Sequence, residues 1–285
     1  MTVTLRPAAP ADAAPAGAIC YEAFKTISEA HGFPPDFPDA GVATGLLGDI
    51  LERPDVHGVV AEVDGRVVGS NFLWEAKPLA GVGPITVAPE IQNGAVGRRL
   101  MEAVLERARR QGIGSVRLVQ AAYHGRSLSL YAKLGFVARE PLTVFQGPPI
   151  GAAVPGHPVR PATAADLDAA NALCRDVHGH DRAGELAHAV GRGTATAVER
   201  DGRLTGYATE IGFFGHAVGE TVEDVKALIA AAPAFTGPGF LAPTRDAALF
   251  RWCLEQGLRV VQPMTLMTIG PYQEPRGAFL PSILY

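Results

Sequence analysis

The spacing of apolar positions in the first half of the chain alternates between the two-residue period of strands and the longer period of helices. Strands are predicted at residues 3–6, 57–63, 66–75, 115–120 and 136–145, with a further strand that ends at Val87. Helices are predicted at residues 11–25, 96–111 and 125–133, with a short one inside the Pro- and Gly-rich segment 31–53. This order predicts an α/β (α+β) fold in which helices flank a mixed sheet.

Three local patterns of the first half return in the second half, in the same order. The pairs are residues 5–8 and 159–162, residues 64–66 and 201–203, and residues 135–143 and 257–265. The first pair contains Arg-Pro-Ala before an amphipathic helix, the second is an Asp-Gly-Arg hairpin turn, and the third joins a helix to a strand. Repetition in a fixed order indicates a duplicated fold.

The length of the chain agrees with two domains. It has 285 residues, of which 47% are hydrophobic and 19% charged, so each half can bury a core of its own. A Pro- and Gly-rich linker at residues 146–158 places the boundary near residue 150. We therefore expect domains at residues 1–150 and 151–285.

Charge and composition exclude several classes of partner. The net charge is -4 and no Lys/Arg-rich run is present, which argues against nucleic acid as a partner. No apolar stretch approaches the roughly 18 residues that span a bilayer. Met1–Pro10 also lacks the features of a leader, so we expect a cytoplasmic protein without a membrane partner. Cys20, Cys174 and Cys253 lack metal-ligand spacing, so buried free thiols and no metal site are expected.

The segment most informative about chemistry joins a strand to a helix through small residues. The strand ends at Val87, Pro89 interrupts it, and Gly94, Ala95 and Gly97 lead into the helix. Such a loop directs backbone N–H groups and the positive end of the helix dipole at one point, which suits a phosphate. A purely structural turn would use the same residues, so both interpretations are open on this pattern alone.

Two successive sequence motifs favour one of these interpretations. Residues 87–101 resemble motif A of the GNAT superfamily of N-acetyltransferases, whose core is Arg/Gln-x-x-Gly-x-Gly/Ala, with Gln92 first and Gly97 last. Residues 124–136 are similar to the following family motif, Asn-x-x-Ala-x-x-Leu-Tyr-x-Lys-Leu-Gly-Phe, and Tyr131 fits it. The resemblance covers nearly all of residues 1–147 and implies acetyl-CoA as the cofactor.

The chain departs from the family pattern at two of these positions. Ala95 stands where Gly is usual, which leaves less room for a diphosphate. His124 stands where Asn is usual, and its ring can hydrogen-bond the pantetheine arm or a neighbouring carbonyl. The resemblance still implies cofactor binding at this loop.

The resemblance also implies direct transfer of the acyl group to an amine. In the family, strand backbone groups hold the pantetheine arm and the small-residue loop wraps the diphosphate. The amine then attacks the thioester without a covalent enzyme intermediate. Tyr131 would be the general acid that protonates the departing thiolate. The implied cofactor-binding residues are Ile85, Thr86, Val87, Gln92, Asn93, Gly94, Ala95, Val96, Gly97, Arg98, His124, Ser127 and Tyr131.

Candidates for the acceptor side are less specific. Glu75, at the end of a strand, and His31 are the two candidates for a base that deprotonates the incoming ammonium. Within residues 31–38, Phe33 and Phe37 supply apolar surface for an acceptor pocket, although a hydrophobic plug on the core explains them equally well.

The second repeat lacks the motifs of the first. Cys253 stands where Tyr131 would be, and Glu220, Glu223 and Asp224 surround the start of the helix that should hold the diphosphate. These carboxylates would repel a phosphate. We expect two GNAT-like domains in tandem, each with a mixed, mainly antiparallel sheet, of which the second is degenerate and structural. The apolar C-terminal run, residues 277–285, should be buried.

Together these features predict an enzyme that transfers an acetyl group from acetyl-CoA to a primary amine of a small molecule or peptide. The alternatives are a non-catalytic acyl-CoA-binding sensor or partner-binding pseudoenzyme, and the same chemistry with a longer acyl group. A monomer or a homodimer is expected.

Overall fold

The computed structural model describes residues 2–92 and 94–284, which form two compact units. The first unit contains the described residues up to Arg139, together with Leu266–Pro271 and Leu284. The second contains Glu140–Thr265 and Tyr272–Ile283. The Pro- and Gly-rich linker predicts a boundary near residue 150, and the compact units change earlier, between Arg139 and Glu140.

The first unit is built around a mixed sheet. Its strands are β1 (Val3–Pro7), β2 (Val56–Val63), β3 (Arg66–Glu75), β4 (Leu79–Val82), β5 (Thr86–Val87) and β6 (Ser115–Ala121). Its helices are α1 (Ala13–Ala30), α2 (Ala40–Glu52), α3 (Val96–Arg110) and α4 (Gly125–Lys133). These confirm the predicted order of elements with two differences. Helix α1 continues five residues past the expected end, to Ala30, and two short strands, β4 and β5, stand where one strand ending at Val87 was expected.

The sheet of the first unit has the strand order β1-β2-β3-β4-β6, in which only the pair formed by β4 and β6 is parallel. One face packs on α3, where Leu100, Met101 and Val104 are fully buried. These residues recur at helical spacing, so a single side of α3 covers the sheet. A separate cluster under α1 and α2 includes Cys20 and Phe72.

The second unit repeats much of this arrangement. Its strands and helices are β8 (Val159–Pro161), α5 (Leu167–His178), α6 (Ala183–Arg192), β9 (Thr196–Arg200), β10 (Arg203–Ala208), β11 (Ala217–Gly219), α7 (Val222–Ala231), β12 (Phe240–Pro243), α8 (Ala247–Glu255) and β14 (Ala278–Leu280). One sheet has the antiparallel order β14-β11-β10-β9-β8.

The closing strands of the two repeats contribute to exchanged units. Strand β7 (Val137–Gln146) closes the first repeat, but its residues from Glu140 belong to the second unit, where Phe145 pairs with Phe240 of β12. Strand β13 (Arg259–Ile269) closes the second repeat, but its residues from Leu266 belong to the first unit. Met267 lies in the core of the first unit with α3.

Two further expectations concern cysteines and membranes. Cys20, Cys174 and Cys253 are free and buried, as predicted. Across residues 2–92 and 94–284, no helix combines the length and apolar character needed to cross a membrane. No cluster of three potential metal ligands occurs in the same described ranges.

Candidate functional site

The sheet of the first unit opens between β5 and β6. Upstream, β4 pairs in parallel with β6, from Leu79 opposite Ser115 to Gly81 opposite Arg117. After the turn at Gly83, β5 pairs with β3 instead, with Val87 opposite Gly69. The edge of β5 that faces β6 is therefore left to another partner, and an extended ligand can use such an edge as an added strand would.

The start of α3 lies beside this opening. A Cβ atom on Gly97 would be 3.8 Å from both Val87 Cγ2 on β5 and Leu130 Cδ2 on α4. Ala95 is the N-cap residue of α3, a 15-residue helix, and makes no side-chain hydrogen bond to it. The first backbone N–H groups of α3 are therefore not occupied by a capping side chain. Gly94 beside it is exposed. The loop thus combines open backbone donors, a positive dipole end and little side-chain bulk.

Gln92 holds this loop in place. Its Nε2 atom donates to the Val87 carbonyl oxygen at 3.0 Å, and its Oε1 atom accepts from the Arg126 guanidinium on α4. The first position of motif A therefore ties the loop to β5 and to α4. Arg126 was not singled out by the sequence, because its position in the second motif is variable. Asn93, predicted to bind the cofactor, lies outside the described residues.

Ala95 adopts a conformation that favours glycine. Its φ is 61° and its ψ is 6°, in the left-handed region. A non-glycine residue costs about 1–2 kcal/mol there, because its Cβ crowds the following carbonyl oxygen. The departure from the family motif at this position therefore carries backbone strain, in addition to the lost space.

Tyr131 lies on α4 with its side chain in the core of the first unit. It is 7% exposed and contacts Phe136 edge-on, with ring centroids 6.0 Å apart. Burial raises the pKa of Tyr131 well above its usual value, so the hydroxyl keeps its proton near neutral pH. The Leu130 side chain before it reaches Gly97 and Val87, which brings this part of α4 to the opening in the sheet.

His124 and Ser127 lie at the start of α4. Burial first, then the positive charge of Arg126 and the neighbouring His31, lower the pKa of His124 to about 4, so its ring is neutral at pH 7. Ser127 donates to Oε1 of Gln120 on β6 at 2.9 Å. Gln120 was not predicted as a site residue, because it follows the small-residue loop by more than 20 residues and precedes the second motif, outside both.

Phe33 and Phe37, expected either to line an acceptor pocket or to plug the core, have different surroundings in the structure. Phe33 stacks on Tyr123, with ring centroids 4.3 Å apart and an interplanar angle of 11°. His31 lies 5.3 Å from the same ring, and its Nδ1 atom is 2.9 Å from the Ile27 carbonyl oxygen. Phe37 instead packs with Phe24 under α1 and α2. Phe33 therefore lines the end of β6 beside Tyr123, and Phe37 is a plug on the core.

Tyr123 is an additional residue of this region. Its hydroxyl lies 3.0 Å from Oγ of the buried Ser28 on α1, and burial is the first cause of its raised pKa. An aromatic residue directly before the His124 motif is the only signal for it in the sequence.

Glu75 is placed away from this site. Its carboxylate forms a two-point ion pair with Arg107, with Oε1 2.6 Å from Nε and Oε2 3.1 Å from a terminal nitrogen. It stands five residues beyond Ser70, which pairs with Thr86, and five residues of strand span about 17 Å. The sequence could not reveal this partner, because Arg107 lies on α3, a different element. This placement argues against the role of base for Glu75.

The corresponding helix start in the second unit is closed. Thr221 and Asp224 form a reciprocal cap on α7, in which the Thr221 side chain accepts from the Asp224 N–H and Asp224 Oδ2 accepts from the Thr221 N–H at 2.9 Å. A carboxylate therefore occupies the place where a phosphate would be needed. Arg200 and Thr205 also donate to Asp224, which is fully buried.

The strand edge is also filled in the second unit. Strand β11 pairs with β10, with Gly219 opposite Gly206, as β5 pairs with β3 in the first unit. Its other edge pairs with β14, with Ala217 opposite Leu280. This confirms that part of the apolar C-terminal run is buried. Cys253, at the position of Tyr131, is buried, and burial raises its pKa to about 12.

The donor set of the first unit fits a CoA thioester. A free strand edge suits the amides of a pantetheine arm, and open helix N–H groups suit a diphosphate. Two buried side-chain nitrogens, of Gln120 and His124, face no hydrogen-bond partner within the described residues. The second unit offers neither the edge nor the helix start.

Comparison with known proteins agrees with this geometry. The model of the acetyltransferase (GNAT) family matches residues 21–136. A curated relative, the IAA acetyltransferase of Azospirillum brasilense, is 31% identical over 103 residues, which are 35% of this chain and 67% of the relative.

Two solved structures resemble the whole chain in fold. A candidate acetyltransferase from Pyrococcus horikoshii has a TM-score of 0.74 at 16% identity, covering 99% of this chain and 92% of its own. A tandem GNAT protein from the clavulanic acid biosynthesis pathway has a TM-score of 0.55 at 15% identity, covering 95% of this chain and 100% of its own.

The chain belongs to the GNAT family of acetyltransferases. Its architecture is that of a tandem GNAT protein, which confirms the fold class expected from the sequence. Members of the family use acetyl-CoA and act on amine acceptors, so acyl transfer is the class of activity to which the chain is assigned.

Proposed function

We propose that the first half of the chain transfers an acetyl group from acetyl-CoA to a primary amine of a small molecule or peptide. The observation that carries the proposal is the open edge of β5, which leads to the uncapped start of α3 and lies beside α4 with Tyr131. In this proposal residues 1–150 form the catalytic domain that binds acetyl-CoA, and residues 151–285 have a structural role. The chain acts in the cytoplasm as a monomer or homodimer.

The cofactor would be held by backbone groups and small residues. Ile85, Thr86 and Val87 present the strand edge to the pantetheine arm, and Gln92 and residues 94–98 present N–H groups to the diphosphate. Bound acetyl-CoA supplies an activated thioester carbonyl. The protein's contribution is chiefly to fix that carbonyl where an amine can reach it, which lowers the entropic part of the barrier.

Tyr131 is the group proposed to act on the leaving thiolate. A buried tyrosine with a raised pKa is protonated at neutral pH and can donate a hydrogen bond to sulfur. An ordinary thiol has a pKa near 8.5, below that of Tyr131, so complete proton transfer from tyrosine to the thiolate is uphill. We therefore infer that Tyr131 stabilises the developing charge by a hydrogen bond and that solvent completes the protonation.

His31 is the remaining candidate for the base. Since its Nδ1 atom lies beside the Ile27 carbonyl oxygen, Nδ1 carries the proton of the neutral ring and Nε2 carries the lone pair. The side chain is exposed beside Tyr123, so an incoming ammonium can reach it directly or through water.

Calorimetric titration with acetyl-CoA, followed by a panel of amines with thiol release as the readout, tests the proposal. Gly97→Trp should abolish binding, because the side chain would enter the space between α3, Val87 and Leu130. Gly191→Trp is the matched control, since a Cβ there meets nothing within 4 Å. Binding without turnover on any amine would favour the acyl-CoA-binding sensor. Absence of binding would contradict both.

A further inference from the structure

Two buried nitrogen atoms between the end of β6 and the start of α4 have no hydrogen-bond partner among the described residues. One is Nε2 of Gln120 on β6, whose residue is 5% exposed, and the other is Nε2 of His124. Burying a polar nitrogen without a partner is unfavourable, so such groups are rare unless a ligand or water completes them. Both atoms therefore indicate a binding surface at this end of β6.

Ser127 fixes the orientation of the Gln120 amide. Its hydroxyl lies 2.9 Å from Gln120 Oε1 and 2.9 Å from the His124 carbonyl oxygen, so one hydrogen serves both acceptors. Because Oε1 of Gln120 accepts from Ser127, the amide nitrogen of Gln120 is directed away from the Ser127 hydroxyl. The family motif has Ala at this position, so the Ser127–Gln120 pair is a feature of this chain.

The Ser127–Gln120 pair lies near Tyr131, the residue proposed to act on the leaving thiolate. Ser127 and Tyr131 are four residues apart on α4 and therefore share a face of the helix. Gln120 lies on the strand that borders the open edge of β5, on the same side as Val116 and Leu118, which pack in the core with Tyr131. Gln120 thus contacts a residue one helical turn from Tyr131, and its free amide nitrogen lies on the same side of the sheet as Tyr131.

We propose that Gln120 donates a hydrogen bond from Nε2 to a carbonyl oxygen of the acyl-pantetheine arm, and that Ser127 is its positioning residue. The proposal rests on the function proposed above and adds a binding residue to it. The acceptor is the thioester carbonyl or an amide carbonyl of the arm. These two share one chemistry, and ligands that differ in a single oxygen separate them.

The test is calorimetric and needs no turnover. Wild type and Gln120→Met, which keeps the side-chain length without the amide, are titrated with acetyl-CoA, with CoA and with the S-ethyl thioether of CoA, which lacks the thioester oxygen. We expect Gln120→Met to bind acetyl-CoA about tenfold more weakly. A loss confined to acetyl-CoA assigns the bond to the thioester carbonyl, and an equal loss for all three ligands assigns it to an amide of the arm.

A second pair of variants covers the case in which Gln120→Met does not fold. Ser127→Ala should weaken binding in the same ligand-dependent pattern, and Ser127→Thr, which keeps the hydroxyl, should restore affinity to within about twofold of wild type. If both Gln120→Met and Ser127→Ala bind all three ligands like wild type, the inference is overturned while the proposed function stands. If wild type binds none of them, the proposed function itself fails.

Discussion

Arg6 donates two parallel hydrogen bonds to Asp12, 2.7 and 2.8 Å long, and a third to Glu62. The second unit repeats this arrangement in detail, since Arg160 binds both oxygens of Asp166 at 2.9 and 2.8 Å. In each unit the aspartate closes the turn between the first strand and the first helix. The duplication read from the Arg-Pro-Ala repeat thus includes a conserved set of contacts.

Asp166→Asn should destabilise the protein by about 2 kcal/mol, because charge-assisted hydrogen bonds to an arginine fork are lost. The Arg160 partner holds the pKa of Asp166 well below its usual value. A carboxyl with a lowered folded-state pKa stabilises the fold above its unfolded pKa near 4, and this stability is lost as the pH falls further. Urea unfolding at pH 7 and pH 3 measures both effects.

Glu106→Gln is the control for that substitution. Glu106 pairs with Arg109 on the exposed side of α3, where both side chains are more than half exposed. Pairs of this kind contribute little. Equal effects of Asp166→Asn and Glu106→Gln on the free energy of unfolding would contradict the prediction.

His216 gives a pH dependence of a different origin. It is buried in the second unit with Nε2 3.0 Å from the Tyr207 hydroxyl, and burial together with Arg182 lowers its pKa to about 4. The unfolded chain therefore takes up a proton near pH 6.5 that the folded chain refuses until about pH 4. Stability contributed by neutral His216 is complete above pH 6.5 and falls by about 3 kcal/mol toward pH 4.

Replacing His216 isolates this dependence. His216→Gln removes the titrating group, so its free energy of unfolding should change less between pH 7 and pH 4.5 than that of wild type. His188→Gln, which changes an exposed histidine, should leave the wild-type slope unaltered. An unchanged slope in His216→Gln would refute the assignment.

The sequence was sufficient where the structure depends on residues that are close together in the chain. The strand, small-residue loop and helix around Ala95, and the α4 motif with Tyr131, were predicted because each is contiguous. The exchange of closing strands could not be predicted, since the apolar patterns of β7 and β13 do not specify to which unit their residues contribute. The ion pair between Glu75 and Arg107 could not be predicted either, because the two residues are distant in sequence.

Ala95→Gly should stabilise the protein by relieving backbone strain in the loop before α3. Glycine adopts the left-handed conformation without the Cβ penalty, and the gain of about 1–2 kcal/mol is partly offset by the greater freedom of glycine in the unfolded chain. We expect a net stabilisation of about 0.5–1 kcal/mol and an affinity for CoA at least equal to that of wild type. Thermal unfolding with and without CoA measures both.

Ala9→Gly controls for the added glycine. Ala9 has a φ of -126°, so it gains nothing from left-handed freedom and the variant should not be stabilised. Ala95→Val should act in the opposite direction to Ala95→Gly, because a branched side chain is worse at positive φ. Stabilisation by both glycine variants would mean that the left-handed conformation is not the cause.

Tyr131→Phe should lower turnover by about 10²-fold, in the range of single acid or hydrogen-bond donors, with little change in affinity for acetyl-CoA. The change removes one oxygen and keeps the ring contact with Phe136, so folding should be preserved. Tyr21→Phe on α1 is the matched control. Unchanged turnover in Tyr131→Phe would exclude the residue from the chemistry.

The second unit should bind no acetyl-CoA. We expect one equivalent per chain, because Asp224 occupies the start of α7 and β14 occupies the edge of β11. Asp224→Asn should destabilise the protein by about 3 kcal/mol, since it leaves the buried ends of Arg200 and Thr205 with a weaker partner. It should not add a binding site, because the strand edge remains filled. Calorimetry showing a second equivalent, in wild type or in Asp224→Asn, would contradict this account of how the site was closed.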